Sequence, residues 1–330
     1  MRVVVCNELG PPEKLAVEER PDLEAPPGGV VIDVHACGLN FVDTLMIQGL
    51  YQIKPQPPFV PGGEVAGIVS QVGEGVDDFA VGDHVLFMCG LNGFAEQVTA
   101  PAKRLLRLPE GLDFARATAL MQSYCTALFA LRRRGDLKEG ETVLVLGAAG
   151  GVGSAAIDVA RAFGARVIAA AGSPEKVAAC IQRGAFAGID YSKEDIKTAV
   201  KALCPGGIDV VYDPIGDRYA EPALRTLAPD GRYLVIGFAA GEIPAVPFNL
   251  MLLKQCQVVG VNWGAWASTH GAENDALFAE LLSLYEQGRI DPPAPQTYPL
   301  EEAGKALRAF MDRKVIGKAA LTMRDEAARP

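Results

Sequence analysis

A glycine-rich turn between an apolar strand and an amphipathic helix constrains this chain more than any other feature. Apolar residues at 143–146 predict a buried strand that runs directly into Gly147-Ala148-Ala149-Gly150-Gly151-Val152-Gly153. Apolar residues then recur at helical spacing at Val152, Ala155, Ala156, Val159, Ala160 and Phe163. A turn of this kind lets the backbone approach a pyrophosphate closely, and the helix N-terminus offers free N–H groups. The segment therefore predicts a βαβ unit that binds a dinucleotide.

The alternation of strands and helices continues to residue 261. Strands are predicted at Val143–Leu146, Arg166–Ala171, Ala187–Ile189, Ile208–Asp213, Arg232–Gly237 and Val258–Val261. After the first helix, further helices are predicted at Pro174–Arg183, Lys193–Leu203 and Tyr219–Leu227. Six strands in this pattern indicate an α/β fold with a doubly wound parallel Rossmann sheet, which we assign to residues 123–262.

The regions on either side of residues 123–262 have a different sequence pattern. Residues 1–122 are punctuated by Gly and Pro, with short apolar runs at Gly29–Val34, Val65–Val72 and His84–Met88. Short strands separated by turns predict a β-rich domain. Residues 263–330 contain two predicted helices and a strand, at Asn274–Gln287, Leu300–Asp312 and Gly317–Met323. We assign them to the β-rich domain, so that residues 123–262 form an insertion.

Composition and charge narrow the possible partners. The chain has a formal net charge of −9, and Arg132-Arg133-Arg134 is its longest basic run. An acidic surface repels phosphates, which argues against nucleic acid. No stretch approaches 18 consecutive apolar residues, and the N-terminal sequence does not resemble an export signal. We expect a small-molecule partner, no membrane association and a cytoplasmic location.

The residues after the second Rossmann strand indicate which dinucleotide binds. They are Ala169-Ala170-Ala171-Gly172-Ser173-Pro174-Glu175-Lys176, with no acid at the strand end to accept a hydrogen bond from a ribose 2′-hydroxyl. Ser173 and Lys176 instead offer donors to a 2′-phosphate, which predicts NADPH. The alternative is that Lys176 is a solvated surface lysine, and Glu175 adds an opposing charge.

Seven motifs give the chain a family resemblance over nearly its whole length. They are Cys37-Gly38-Leu39-Asn40-Phe41-Val42-Asp43-Thr44, Gly49-Leu50-Tyr51, Pro61-Gly62-Gly63-Glu64-Val65-Ala66-Gly67, Val81-Gly82-Asp83-His84-Val85, Tyr124-Cys125-Thr126-Ala127, Ala148-Ala149-Gly150-Gly151-Val152-Gly153 and Asp213-Pro214-Ile215-Gly216. In this order they resemble the zinc-independent quinone oxidoreductases, the ζ-crystallin-like group of the medium-chain dehydrogenase/reductase superfamily. The resemblance implies that the β-rich domain is a GroES-like catalytic domain.

The resemblance also implies a set of site residues. Those expected to bind the cofactor are Asn40, Thr126, Gly150, Gly151, Val152, Ser173, Lys176, Tyr191, Gly237, Phe238 and Lys318. The expected catalytic residues are Asn40, near the nicotinamide, and Tyr51, at the entrance to the substrate site. Two alternatives stay open: Asn40 could serve only to form a turn, and Tyr51 could serve only in packing. Leu45 replaces a second tyrosine of the family, which implies a more apolar pocket.

The positions of the zinc ligands in the metal-dependent cousins carry other residues here. Asn40 stands where the cousins have a cysteine, Gly63 where they have a histidine, and Gln122 where they have a third ligand. Glycine has no ligating side chain, and carboxamides are poor zinc ligands beside thiolate and imidazole. We therefore predict no metal site.

Together these features predict hydride transfer from NADPH to a quinone or an α,β-unsaturated carbonyl. Two alternatives stay open at this point: an enoyl-CoA reductase of the acryloyl-CoA type, and a non-enzymatic NADPH-binding protein. The resemblance further implies a homodimer that pairs the last Rossmann strand near Gln257–Asn262.

Overall fold

The structure is a computed structural model, which describes residues 1–323. Its strands, in chain order, are β1 (Arg2–Val5), β2 (Ala16–Glu19), β3 (Gly29–Leu39), β4 (Glu64–Val72), β5 (His84–Phe87), β6 (Gln97–Pro101), β7 (Leu106–Arg107), β8 (Thr142–Leu146), β9 (Arg166–Ala171), β10 (Ala187–Asp190), β11 (Ile208–Asp213), β12 (Leu227–Val235), β13 (Gln257–Gly260), β14 (Gln296–Pro299) and β15 (Ala319–Thr322).

The helices alternate with the strands only from β8 to β13. They are α1 (Phe41–Met46), α2 (Phe114–Ala119), α3 (Cys125–Leu128), α4 (Gly151–Ala162), α5 (Pro174–Gln182), α6 (Ile196–Leu203), α7 (Ala220–Leu224), α8 (Asn249–Lys254), α9 (Trp263–Ala267), α10 (Gly271–Glu286) and α11 (Ala303–Met311). Two π-helical stretches lie at Leu120–Tyr124 and Phe129–Arg134. No helix within residues 1–323 has both the length and the apolar character needed to cross a membrane.

The chain divides into two compact units. Unit 1 comprises Met1–Gln122 and the chain from Pro292 onward, and unit 2 comprises Ser123–Asp291. Residues 263–291 thus group with unit 2, whereas the sequence assigns them to the first domain. The reason is that α10 packs against α3 and α9, which belong to unit 2. Residues 324–330 of the predicted first domain lie outside the described residues.

Unit 2 contains a six-stranded sheet in the order β10-β9-β8-β11-β12-β13. Every neighbouring pair is parallel, which confirms the predicted doubly wound Rossmann fold. The strands at its centre are buried on both faces and therefore read as continuous apolar runs. The predicted helix Tyr219–Leu227 is shorter in the structure, because Thr226 closes a turn onto the carbonyl of Ala223 and Leu227 already begins β12.

Unit 1 contains a seven-stranded sheet, which confirms the predicted β-rich domain. Its main order is β14-β15-β3-β4-β5-β7, and β6 also pairs with β3. The central strand β3 is longer than the predicted run and continues to Leu39. Antiparallel pairing aligns Leu39 at the end of β3 with Ala319 at the start of β15, and Gly38 with Glu64 at the start of β4. Three strand ends therefore meet at one edge of the sheet.

Candidate functional site

The edge where the three strand ends of unit 1 meet carries a buried polar cluster. Asn40 follows β3, Glu64 begins β4 and Lys318 precedes β15. The Lys318 ammonium donates to Asn40 Oδ1 and to Glu64 Oε1, both at 2.5 Å, and Asn40 Nδ2 donates to Glu64 Oε1 at 2.8 Å. Lys318 is only 3% exposed, and Glu64 is fully buried. The predicted residues Asn40 and Lys318 thus lie together, joined by a glutamate that the sequence analysis did not assign to the site.

A backbone N–H group holds the Glu64 carboxylate from the other side. Its Oε2 accepts a hydrogen bond of 2.8 Å from the backbone N–H of Gln122. The strand neighbour Gly38 leaves room for the carboxylate, because a Cβ at that position would lie 2.3 Å from Glu64 Oε1 and 2.8 Å from Cγ. Buried ion pairs are stable only when their remaining lone pairs are satisfied in this way. Both oxygens of the Glu64 carboxylate therefore accept hydrogen bonds within the cluster.

Asp43 fixes the loop that presents Asn40. It lies in the first turn of α1, and its carboxylate accepts the backbone N–H of Asn40 at 2.8 Å. Burial raises the pKa of Asp43 from 3.8 to about 7, outweighing the hydrogen bond from Asn40 and the nearby Lys318 ammonium, which both act to lower it. Asp43 is therefore a loop-fixing residue, and it holds its proton far more tightly than an exposed aspartate does.

The positions that correspond to zinc ligands in the cousins adjoin this cluster. A Cβ on Gly63 would lie 3.9 Å from Gln122 Oε1 and 3.5 Å from the carbonyl oxygen of Gly90. In residues 1–323, no three His, Cys, Asp or Glu side chains are grouped so that they could hold a metal ion. The groups available at these positions are the carboxamides of Asn40 and Gln122 and the backbone at Gly63, all of which can form hydrogen bonds.

Tyr51, the second predicted catalytic residue, lies in a bend between α1 and β4 and is half-buried. Its hydroxyl makes no hydrogen bond to the residues that the structure describes. Burial raises its pKa, so the phenol stays protonated at neutral pH and keeps its ability to donate. The structure does not join Tyr51 to the polar cluster by any hydrogen bond.

In unit 2, the glycine turn folds so tightly on its own backbone that two of its positions favour glycine. Gly147 has φ +55°, which favours glycine, and Gly150 is the N-cap of α4. A Cβ on Gly153 would lie 2.4 Å from the carbonyl oxygen of Gly147 and 2.8 Å from Ala148 Cα. The N–H groups of Gly151 and Val152 start the helix and have no partner within it. The turn therefore offers an anion site built from backbone alone.

The loops after β8, β11 and β12 meet at the carboxyl ends of the parallel strands. A Cβ on Gly147 would lie 2.6 Å from Ile215 Cγ2, and one on Gly237 would lie 3.3 Å from the carbonyl oxygen of Pro214. Phe238 packs on Gly216, whose φ is +63°. Since the strand order reverses between β8 and β11, this is the crevice where open α/β sheets bind ligands.

Asp213 holds the loop after β11 in place. Its Oδ1 accepts the backbone N–H groups of Ile215 at 2.8 Å and Gly216 at 2.9 Å, and its other oxygen accepts the Tyr233 hydroxyl. Burial raises the pKa of Asp213. The carboxylate is thus committed to loop structure and is not available to a substrate.

The predicted 2′-phosphate residues lie after β9 and β10. Ser173 is the N-cap of α5, where its Oγ accepts the backbone N–H of Lys176 at 3.3 Å. Its hydroxyl donates a hydrogen bond to the Glu175 carboxylate, and this hydrogen bond lowers the pKa of Glu175. A Cβ on Gly172 would lie 3.1 Å from the ring of Tyr191, which also packs on Tyr219 with ring centroids 4.6 Å apart. Ser173 is thus already engaged as a donor, a contact that the sequence did not reveal.

Thr126 is the remaining predicted cofactor residue. It lies in α3, where Cys125, Ala127 and Leu128 are buried and Thr126 alone is half-exposed. Thr126 is therefore the residue of this short helix with the most access to solvent. Sequence reasoning did not assign Glu64 and Gly38 to the site. Glu64 was visible as the acid of the Pro61–Gly67 motif, and Gly38 as the glycine two residues before Asn40.

Comparison with known proteins identifies the family. A family model described as alcohol dehydrogenase GroES-like domain matches residues 26–110, and one described as zinc-binding dehydrogenase matches residues 151–279. The first lies in unit 1, and the second covers most of unit 2.

Individual relatives match almost the whole chain. A quinone oxidoreductase-like protein 2 from Rattus norvegicus is 40% identical over 98% of this chain and 92% of its own length. A quinone oxidoreductase from the same organism is 36% identical over 93% and 92%. The solved structure of Escherichia coli quinone oxidoreductase complexed with NADPH superposes with a TM-score of 0.89, at 29% identity over 98% of this chain and all of that one. The chain therefore belongs to the zinc-independent quinone oxidoreductase group of the medium-chain dehydrogenase/reductase superfamily, a family of oxidoreductases.

Proposed function

We propose that this protein transfers hydride from NADPH to a quinone or an α,β-unsaturated carbonyl, without zinc. The observation that carries the proposal is the buried carboxamide of Asn40, bonded to Lys318 and Glu64 at a position where metal-dependent cousins have a thiolate. A site of this kind can donate hydrogen bonds to an oxygen but cannot act as a Lewis acid. Such donors suit an acceptor whose developing charge is already delocalised.

The cofactor half of the proposal depends on unit 2. The backbone N–H groups of Gly151 and Val152 would hold the pyrophosphate, and Lys176 would meet the 2′-phosphate beside Tyr191. The NADPH complex of the E. coli relative supports NADPH as the cofactor. Bound NADPH supplies the hydride through its nicotinamide C4. The loop after β11, which Asp213 fixes, and the loop after β12 would bound the nicotinamide end of the crevice.

The acceptor half depends on unit 1. Hydride would add to the carbon that is β to the carbonyl, and the carbon–carbon π electrons would move toward the oxygen. The resulting enolate would then take a proton from water or from Tyr51. Asn40 would donate a hydrogen bond to that oxygen. A hydrogen bond of this type contributes about 2.7–4 kcal/mol to transition-state stabilisation. That contribution is sufficient for an enolate or phenolate, which is a much weaker base than the alkoxide formed from a simple ketone.

The cofactor arm of the functional test measures dissociation constants for NADPH and NADH by nicotinamide fluorescence. We expect the wild-type protein to bind NADPH more tightly than NADH. Lys176→Ala should weaken NADPH binding about tenfold and change NADH binding little, because one charge-assisted hydrogen bond is removed. Lys197→Ala, on an exposed position of α6, serves as the control. Equal affinities in wild type would contradict the NADPH assignment.

The acceptor arm compares an enone with its saturated ketone, alongside 1,4-naphthoquinone and an enoyl-CoA. We expect turnover of the enone and the quinone, and at least a thousandfold lower kcat/KM for the saturated ketone, because about 4 kcal/mol or more separates the two transition states. Efficient reduction of the saturated ketone would contradict the mechanism. A strong preference for the thioester would favour the enoyl-CoA alternative, and no NADPH oxidation with any acceptor would favour a non-enzymatic role.

We further propose that the protein is a homodimer that pairs β13 with its copy. This strand lies at the edge of the unit 2 sheet, where an unpaired row of N–H and C=O groups would otherwise remain. Large apolar side chains on this strand and in the segment that precedes it in sequence are exposed in the single chain: Ile243, Phe248, Leu252, Leu253 and Val258. Light scattering should give twice the 34.9 kDa mass of one chain; a monomer mass at micromolar concentration would contradict it.

A further inference from the structure

We propose that Lys318 and Glu64 are positioning residues that act on the reaction through Asn40. They hold its carboxamide in one orientation and polarise it, so that its remaining N–H becomes the donor to the oxygen of the acceptor. This inference rests on the proposed function and names the part of unit 1 that would take the place of a metal ion. It differs from the role that the family resemblance implies for Lys318, which is contact with the cofactor.

The hydrogen bonds determine which way the Asn40 amide points. An ammonium can only donate and a carboxylate can only accept. Lys318 therefore requires the amide oxygen on its side, and Glu64 requires an N–H on the other. A flipped amide would place its oxygen against the carboxylate and its N–H₂ against the ammonium. Two contacts of opposite polarity thus leave one orientation and one N–H that has no partner among residues 1–323.

Burial strengthens the electronic effect of these contacts. Lys318 is 3% exposed, Glu64 is fully buried and Asn40 is 8% exposed, so little water screens the charges. The hydrogen bond from the ammonium to the amide oxygen withdraws electron density from the carboxamide, which makes the free N–H a stronger donor. The backbone N–H of Gln122 prevents the Glu64 carboxylate from turning away. The positive charge of Lys318 can therefore act on the acceptor through Asn40 without touching it.

The decisive measurement separates kcat from cofactor affinity in Lys318→Met. We expect kcat with an enone to fall by about ten- to a hundredfold, less than the loss of a whole oxyanion donor, while the dissociation constant of NADPH stays within twofold of wild type. Lys314→Met is the matched control, since Lys314 is an exposed lysine on the same segment that pairs with Asp312. In Lys318→Ala, methylammonium should restore part of kcat.

A series of acceptors distinguishes polarisation from mere structural support. The loss in Lys318→Met should grow with the basicity of the enolate formed, and it should be smallest for 1,4-naphthoquinone. A purely structural defect would lower the rates for all acceptors by the same factor. Glu64→Gln keeps the shape of the side chain and should show the same trend with a smaller loss, which provides a second variant if Lys318→Met does not fold.

Two results would overturn the inference alone: an unchanged kcat with weakened NADPH binding, which would make Lys318 a cofactor contact, or a uniform loss across all acceptors. A wild-type protein that oxidises NADPH with none of the acceptors would overturn the proposed function and this inference together. The two failures are therefore distinguished by the wild-type control.

Discussion

Gly153→Ala is expected to weaken NADPH binding by about a hundredfold and to lower the melting temperature of the protein. A Cβ at this position would lie 2.4 Å from the carbonyl oxygen of Gly147 and 2.8–2.9 Å from backbone atoms of Ala148. These are backbone atoms of the turn itself, so no side chain can rotate to relieve the contact. The start of α4 must then move away from β8.

Such a displacement removes the backbone donors from the place where the pyrophosphate would lie. Losing one or two hydrogen bonds to a charged group costs about 3 kcal/mol, which corresponds to the hundredfold weakening. Fluorescence titration with NADPH measures the affinity, and thermal unfolding measures the stability. Gly271→Ala at the start of α10 is the control, because its Cβ would meet no atom within 4 Å. Wild-type affinity in Gly153→Ala would show that the turn does not bind the cofactor.

Gly38→Ala is expected to destabilise unit 1 by about 3–5 kcal/mol, the usual result of breaking a buried ion pair. The new methyl group would occupy the space of the Glu64 carboxylate, with Oε1 at 2.3 Å. Glu64 cannot move aside without leaving Asn40, Gln122 and Lys318, and Lys318 would then remain buried without a counter-charge. In an ordinary strand the same substitution would stabilise the protein slightly.

Denaturant unfolding of Gly38→Ala and Gly63→Ala tests this expectation. The control residue Gly63 adjoins Glu64 in sequence, but a Cβ there would meet its nearest neighbour, the carbonyl oxygen of Gly90, at an ordinary 3.5 Å. We expect a much smaller loss for Gly63→Ala. A Gly38→Ala protein as stable as wild type would mean that the Glu64 cluster contributes little to folding.

Unit 2 was predictable from sequence because its signals are local. The strand, the glycine turn and α4 follow one another within about twenty residues, and each subsequent strand and helix keeps its own period. The differences lie at element ends, such as the helix that stops at Leu224, where a turn onto Ala223 replaces further helix, and in residues 263–291, which the sequence assigns to the other domain. The contact between Ser173 and Glu175 was not predictable, because side-chain direction at a helix start depends on local rotamers.

The cluster in unit 1 was predictable only in part because its members are distant in sequence. The family resemblance places Asn40 and Lys318 in the site, but nothing local to either residue indicates that they touch. Their contact follows from the pairing of β3 with β15 across some 280 residues of chain. Glu64 joins them through the pairing of β3 with β4. Only tertiary structure reveals the three-way contact.

The buried carboxyl of Asp43 turns folding into a proton-uptake reaction. The pKa of this carboxyl is 3.8 in the unfolded chain and is raised to about 7 by burial in the folded protein. At a pH between these two values, the folded state therefore holds a proton that the unfolded state has released. The corresponding stabilisation is fully present below about pH 4 and is lost as the pH rises through 7. A rise in pH through 7 thus destabilises the loop that presents Asn40. The stability of this edge of the sheet therefore depends on the pH of the surroundings.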